Sequence, residues 1–183
     1  QVGIMILLEK DNFFFIFYTC LYKEEVMNLK KLTNEDLVIL KADYKSKQEA
    51  LEALAEKLYE SGKISDKEGY LKDVEAREKQ GATNVGMKLA IPHGKSAFVL
   101  EPCFEATTVK TPIKDWEKID ETSEDAELIF LIAVPDSQAG STHIEILTKL
   151  TSKLADEELI EKLLKADNEK KFLELLSEDE IKE

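Results

Sequence analysis

The chain has 183 residues, enough for one domain with a full hydrophobic core and too few for a second large one. Hydrophobic residues make up 43% and charged residues 34%, with 7 glycines and 4 prolines, a balance that excludes fibrous and largely disordered chains. The formal net charge of -13 opposes a nucleic-acid partner, because a phosphate backbone is held mainly by Lys and Arg that displace counterions.

At the amino end, Phe13-Phe14-Phe15-Ile16-Phe17-Tyr18 lies in an apolar run shorter than the roughly 20 residues that a membrane helix needs. No basic segment precedes it and no small-residue cleavage site follows it before Lys23-Glu24-Glu25, so neither direct membrane insertion nor a signal peptide is expected. Lys23-Glu24-Glu25 can be encoded as AAGGAGGAA, a bacterial ribosome-binding sequence just ahead of Met27. The expectation is that residues 1–26 are a leader or non-native segment and that 27–183 form the domain.

After Met27, Leu37-Val38-Ile39-Leu40 is consistent with a buried strand, though short enough to be a helix end. Ser46 with Glu49 has capping-box spacing and opens a helix whose apolar stripe is Leu51, Leu54, Ala55 and Leu58, with Gly62 as its left-handed stop. Ser65 with Glu68 repeats the capping box for a second helix that buries Tyr70 and Val74 and ends before Gly81. Strands are expected at Leu89-Ala90-Ile91 and from Phe104 to Val109. The nearly unbroken apolar run from Ala126 to Val134 is that of a central strand covered on both faces.

A loop at Gln138-Ala139-Gly140-Ser141 leads to a third capping box, Thr142 with Glu145, and a helix buried through Leu147, Leu150 and Leu154. Two more helical stripes follow, Leu159/Ile160/Leu163/Leu164 and Phe172/Leu173/Leu176. The pattern predicts a single α/β domain, a mixed β-sheet flanked by helices on both faces.

The chain has only two histidines. His93 stands in Ile91-Pro92-His93-Gly94, where Pro fixes the backbone into a turn and Gly leaves it with no side chain over the imidazole; this presents either a nucleophile or a turn histidine with a satisfied hydrogen bond. His143 shares a helical face with Leu147 and Leu150 at a helix N-terminus, where the free N–H groups of Gly140, Ser141 and Thr142 can cradle a phosphoryl oxygen; a partly buried histidine of the cap is the alternative. Arg77 lies seven residues after Tyr70 and three after Val74, on the face those residues bury, so its guanidinium needs an anion there, either Glu75 or Glu78 or a bound phosphoryl group. Trp116 and Cys103 read as core residues. Cys20 and Cys103 have no paired spacing, which argues against a disulfide framework or a zinc site and for the cytoplasm. Walker A, GxGxxG, HExxH and GxSxG patterns are lacking, and no cofactor or metal is expected.

Arg77-Glu78, then Thr83 and Gly86, then Leu89-Ala90-Ile91-Pro92-His93-Gly94, resembles the signature of the fructose/mannitol type of enzyme IIA domain of the bacterial phosphoenolpyruvate-dependent phosphotransferase system. The strand into Val134-Pro135 and the helix with His143, Leu147, Leu150 and Leu154 resemble its second block, so the likeness spans about residues 32–178. The resemblance implies that His93 accepts a phosphoryl group from the histidine-containing phosphocarrier protein and gives it to a cysteine of a cognate enzyme IIB. It implies assisting roles for Arg77 and His143, and Thr83, Gly94, Ser141 and Thr142 are expected to support the phosphate. The alternatives are a nitrogen-related regulatory enzyme IIA relative, phosphorylated on the same histidine, and a purely structural interaction module that leaves His93 inert. For the amino-terminal expectation, mass spectrometry of the chain made from its own chromosome should find Met27 first, and a mature chain retaining Phe13–Tyr18 refutes it.

Overall fold

The structure is a computed structural model that describes residues 4–10, 13–19, 29–138 and 141–177, with side chains for 29–137 and 144–177. Strands β1 (Ile4–Lys10) and β2 (Phe13–Thr19) form an antiparallel two-stranded ribbon. The remaining six strands are β3 (Val38–Ala42), β4 (Asn84–Gly86), β5 (Leu89–Ala90), β6 (His93–Ser96), β7 (Cys103–Ile113) and β8 (Ala126–Pro135), which form one sheet in the order β3-β7-β8-β5-β4, with β6 also on β8. β3 runs parallel to β7, β7 antiparallel to β8, and β5 and β6 parallel to β8, so the sheet is mixed.

β8 is central, and its alternation accounts for its unbroken apolarity. Leu128, Phe130, Ile132 and Val134 face one hydrophobic core, while Ile129, Leu131 and Ala133 face another. The first core is closed by Ile146, Leu150 and Leu154 of α3 (Ser141–Lys153), Ile160 and Leu163 of α4 (Glu157–Leu164), and Phe172, Leu175 and Leu176 of α5 (Glu169–Ser177). The second is closed by α1 (Lys47–Glu60) and α2 (Lys67–Glu78). Helices therefore cover both faces of a single α/β domain. None of the described helices is long and apolar enough to cross a membrane.

α1 forms as its sequence dictates. The Ser46 hydroxyl accepts the Glu49 N–H at 3.2 Å, although the Glu49 carboxylate returns to the Lys45 N–H and not to Ser46 itself. Gly62, at φ +68°, ends the helix through a paired motif in which Lys63 N–H donates to Leu58 O and Gly62 N–H to Tyr59 O. The cap of α2 is not Ser65 but Asp66, whose carboxylate accepts the Gly69 N–H at 2.6 Å; the Ser65 hydroxyl donates instead to Phe98 O. An aspartate one residue later does the same work and adds a charge at the positive end of the helix dipole. α3 begins at Ser141, which places Thr142 inside the first turn and not at the cap. Within it Ile146 is fully buried and Leu147 only partly so, because the two lie about 100° apart around the helix.

Between β5 and β6 the chain is one interrupted strand. Leu89 and Ala90 pair with Leu128 and Ile129, His93 to Ser96 pair with Ile132 to Pro135, and Pro92, which has no N–H to give, marks the break. His93 is thus the first residue of a renewed strand and not the apex of a turn. Gly94 likewise has another purpose than the one read from sequence: a Cβ there would lie 2.8 Å from Val74 Cγ2 and 3.2 Å from Tyr70 Cε2, so its bare backbone makes room for α2, not for the imidazole. The Tyr70 hydroxyl crosses the same gap to donate to Ile132 O at 3.1 Å.

One core residue is out of character. Glu105 on β7 is 0% exposed, and neither carboxylate oxygen has a hydrogen-bond partner among the described residues. Burial pushes its carboxyl up to about 9 against the opposing charge of Lys57, so it is held protonated. Its folded value exceeds the ordinary 4.5, so between the two the folded chain holds a proton that the unfolded chain has released. Stability should therefore fall as pH rises through that window, by about 1.4 kcal/mol per unit.

Two outcomes are expected. Glu105→Gln should flatten the fall in urea-unfolding free energy between pH 5 and pH 8.5 and stabilise the protein most at the alkaline end; parallel profiles for variant and parent would show that the carboxyl is solvated. Gly94→Ala should destabilise by about 1–3 kcal/mol in the same assay, since Val74 or the α2 backbone must shift to admit the methyl. An unchanged midpoint would mean that α2 is not seated on β6 as described.

Candidate functional site

The last turn of α2 carries Arg77 on the same face as Tyr70 and Val74, and the close seat of those residues on Gly94 brings the guanidinium to His93. Arg77 Nε donates to His93 Nε2 at 2.8 Å, and Arg77 Nη1 donates to Gly81 O at 3.1 Å. On the other side of the ring His93 Nδ1 lies 2.9 Å from Ile91 O. A carbonyl can only accept and a guanidinium can only donate, so both contacts require the same neutral tautomer, with the proton on Nδ1 and the lone pair on Nε2. The residue is 9% exposed. Burial lowers its pKa from the ordinary histidine value, with Arg77 and Lys95 acting in the same direction against the Ile91 hydrogen bond and Glu78. The imidazole is therefore neutral at neutral pH, with its lone pair aimed at a cation.

The ring forms part of the wall of a cavity of about 330 Å³ lined by Asp73, Ala76, Arg77, Gln80, His93 and Lys95. A larger cavity, about 640 Å³ between residues 30–36 and α5, has no histidine or arginine in its wall. The smaller one is the candidate site, because it is where perturbed chemistry and open space coincide.

The two carboxylates offered by sequence as partners of Arg77 are committed elsewhere. Glu75 accepts from Gln48 at 2.9 Å, and Glu78 accepts from Lys47 at 2.9 Å. The guanidinium meets the imidazole instead. Thr83 is close in sequence to the site but its hydroxyl is engaged, donating to Glu78 at 2.8 Å and accepting from the Trp116 indole N–H at 3.1 Å. Its proton is not available to a phosphoryl oxygen, and any support it gives is through position. His143 occupies the first turn of α3. The side chains of Ser141, Thr142 and His143, and Gly140 altogether, lie outside the described residues. Cys103 and Trp116 are core residues, 0% and 1% exposed, and burial pushes the Cys103 thiol up to about 12, which removes it from thiolate chemistry.

Sequence reasoning missed Lys95, Asp73 and Gln80. Strand periodicity carried the signal for Lys95, two residues beyond His93, and helical spacing carried it for Asp73, four residues before Arg77.

Residues 31–179 match the family model described as phosphoenolpyruvate-dependent sugar phosphotransferase system, EIIA 2. The chain is 40% identical over 153 residues to the 2-O-alpha-mannosyl-D-glycerate-specific EIIABC component of the phosphotransferase system of Escherichia coli, covering 84% of this chain but 23% of that one. It thus spans about a quarter of the length of that relative. Among solved structures, the nitrogen regulatory protein IIA-Ntr of Neisseria meningitidis superposes with a TM-score of 0.72 at 25% identity, covering 80% of this chain and 97% of that one. The mannitol enzyme IIA of Escherichia coli, in its complex with phosphorylated enzyme IIB, superposes with a TM-score of 0.67 at 27% identity, covering 80% and 97%. The match runs through both faces of the sheet and takes in Arg77 and His93, and with it the chain belongs to the EIIA 2 family of the phosphoenolpyruvate-dependent sugar phosphotransferase system, a family of phosphotransferases.

Proposed function

We propose that His93 is the phosphoryl carrier, loaded on Nε2 by the histidine-containing phosphocarrier protein and unloaded to a cysteine of a cognate enzyme IIB, and that the domain works in the cytoplasm as the IIA step of sugar import. The observation that carries this reading is the pair of hydrogen bonds on the imidazole, which leaves a neutral ring with its Nε2 lone pair toward the cavity and Arg77. Support for the acceptor comes from the mannitol enzyme IIA of Escherichia coli, whose structure is a complex with phosphorylated enzyme IIB.

In the first half-reaction the Nε2 lone pair attacks phosphorus in line, the bond from phosphorus to the carrier's histidine breaks, and its electron pair stays with that histidine. Nδ1–H stays on Ile91 O throughout, so the ring keeps its orientation while it gains partial positive charge. Arg77 exchanges the Nε2 lone pair for phosphoryl oxygens, whose charge grows in the loose transition state, and Lys95 in the same cavity adds a second cation. The N-terminal turn of α3, with Ser141, Thr142 and His143, supplies further donors. In the second half-reaction a thiolate attacks phosphorus and the electron pair of the Nε2–P bond returns to Nε2. A regulatory enzyme IIA would use the first half-reaction and need not use the second.

Incubation with phosphoenolpyruvate, enzyme I and the phosphocarrier protein should place one acid-labile phosphoryl group per chain. His93→Ala should abolish it with the fold intact, and undiminished label on that variant sinks the assignment. Arg77→Lys keeps the charge but loses the fork, and should slow transfer by the equivalent of about 2–4 kcal/mol, as loss of a preorganised donor does elsewhere. His143→Ala should still be labelled at His93, slowly, with a further deficit in transfer to the enzyme IIB cysteine. Phosphate mapped to His143 would reverse the two roles, and label that no enzyme IIB can remove would favour the regulatory reading.

A further inference from the structure

Glu78 follows Arg77 in the last turn of α2, and its side chain is only 4% exposed. Two donors converge on Oε2, the Lys47 ammonium at 2.9 Å and the Thr83 hydroxyl at 2.8 Å. Lys47 is itself fixed, by a second bond to Glu117 and by its place 5.7 Å from the centroid of the Trp116 ring. Burial opposes its charge, but the bonds to Glu117 and Glu78 outweigh that and raise its pKa. The other oxygen of Glu78, Oε1, has no hydrogen-bond partner among the described residues. A buried carboxylate with one oxygen unsatisfied is a cost in stability, so its presence asks for a return elsewhere in the molecule.

That return is traceable bond by bond. Thr83, held by Glu78 through its hydroxyl, accepts the Ile91 N–H on its own carbonyl at 2.9 Å. Ile91 O is the group that takes the proton of His93 Nδ1. Arg77 is tied to the same segment through Gly81 O. Both arms of the site thus hang on residues 81–83, and that segment is anchored through the Thr83 hydroxyl, which donates to Glu78 and accepts from the Trp116 indole. The charged groups that act on the imidazole or share its cavity are Asp73, Arg77 and Glu78 from α2 and Lys95 from β6; of these Glu78 opposes Arg77 and Lys95.

We propose that Glu78, clamped by Lys47, is a positioning residue for the His93 nucleophile: through Thr83 and Ile91 it keeps the proton on Nδ1 and the lone pair of Nε2 toward the cavity. The inference rests on the reading of His93 as the phosphoryl carrier. Glu78 is bonded to Lys47 and Thr83 and acts on the imidazole through charge and through Thr83, so its loss acts on turnover and on the ring's state, not on encounter with the phosphocarrier.

The test is Glu78→Gln, read first by nitrogen NMR of the unphosphorylated imidazole and then by transfer kinetics. The parent should show a neutral His93 protonated on Nδ1. The variant should show a mixture of tautomers and a His93 titration midpoint below the parent's, because a negative charge that favours the imidazolium is gone. Phosphoryl acceptance should slow about tenfold in kcat, as loss of a group that orients a functional histidine does elsewhere, with KM for the phosphocarrier unchanged. Thr83→Val should reproduce the tautomer mixture and the kcat loss, and Thr83→Ser should restore both. Parent-like tautomer, midpoint and kcat in Glu78→Gln overturn the proposal. If that variant does not fold, as the emission of Trp116, the sole tryptophan, would report, then a parent-like Thr83→Val overturns it instead. The imidazole measurements need no phosphoryl donor, so a parent that is never labelled at His93 sinks the carrier reading while the positioning of the ring is still decided by its own spectrum.

Discussion

The site depends on the absence of one side chain. Without a Cβ at residue 94, α2 can lie against β6 closely enough for Val74 and Tyr70 to touch the strand backbone, and that spacing puts a guanidinium from the helix within 2.8 Å of an imidazole on the sheet. Arginine is long, but its Nε is near the stem of the fork, so a bond through Nε demands a nearer helix than one through the tips. The Tyr70 hydroxyl on Ile132 O ties the helix to the residue that pairs with His93 across the ladder, which fixes the sliding coordinate as well as the distance. Helix, strand and site are thus one mechanical unit.

Much of this was legible in the sequence where a single local rule decides. The apolar run of β8, the Ser46 cap with Gly62 as stop, and the stripes of α4 and α5 each express one period or one cap, and each formed where it was expected. Legibility failed where two local signals compete or where the determinant is tertiary. Ser65 and Asp66 are both good caps, and only the position of Phe98, whose carbonyl takes the Ser65 hydroxyl, makes Asp66 the cap in use. The Met87-Lys88 turn between β4 and β5 has φ of 51° and 62°, a left-handed pair that an Asn-Gly sequence would have announced and these residues do not. His93 read as a turn residue because Pro92 breaks the ladder; that the strand resumes at once is set by β8 alongside, which no local pattern records. Arg77 was found on the right face, but the choice between a carboxylate and a bound phosphoryl group left out the imidazole it meets, since a lone pair on imidazole carries no charge to look for in a sequence.

Electrostatically the site is built against protonation of the His93 imidazole. Burial, Arg77 and Lys95 all lower the imidazole's proton affinity, and only Glu78 and the Ile91 carbonyl moderate them. In an acidic chain of net charge -13 this requires local order, with Arg77 and Lys95 gathered beside one ring, Asp73 as the one carboxylate in the cavity wall among the described residues, and Glu105 held neutral in the core. Under the proposed role, the same local positive field that disfavours a proton on Nε2 would favour a phosphoryl group there, because the two adducts differ in sign of charge beyond the ring.

That difference bears on what a carrier needs, as opposed to an enzyme that forms a final product. A carrier must take the group and release it, so the loaded and empty states should differ little in free energy. A guanidinium left without a partner in the empty state would bind the phosphoryl oxygens with all its hydrogen-bonding capacity and hold them. Arg77 instead has a partner in both states, the Nε2 lone pair when the ring is empty and, under the proposed role, the phosphoryl oxygens when it is loaded. Only the difference between the two bonds favours loading. Because interactions that are equally strong in both states shift no equilibrium, under the proposed carrier role the bond that masks Nε2 at rest would also keep transfer reversible.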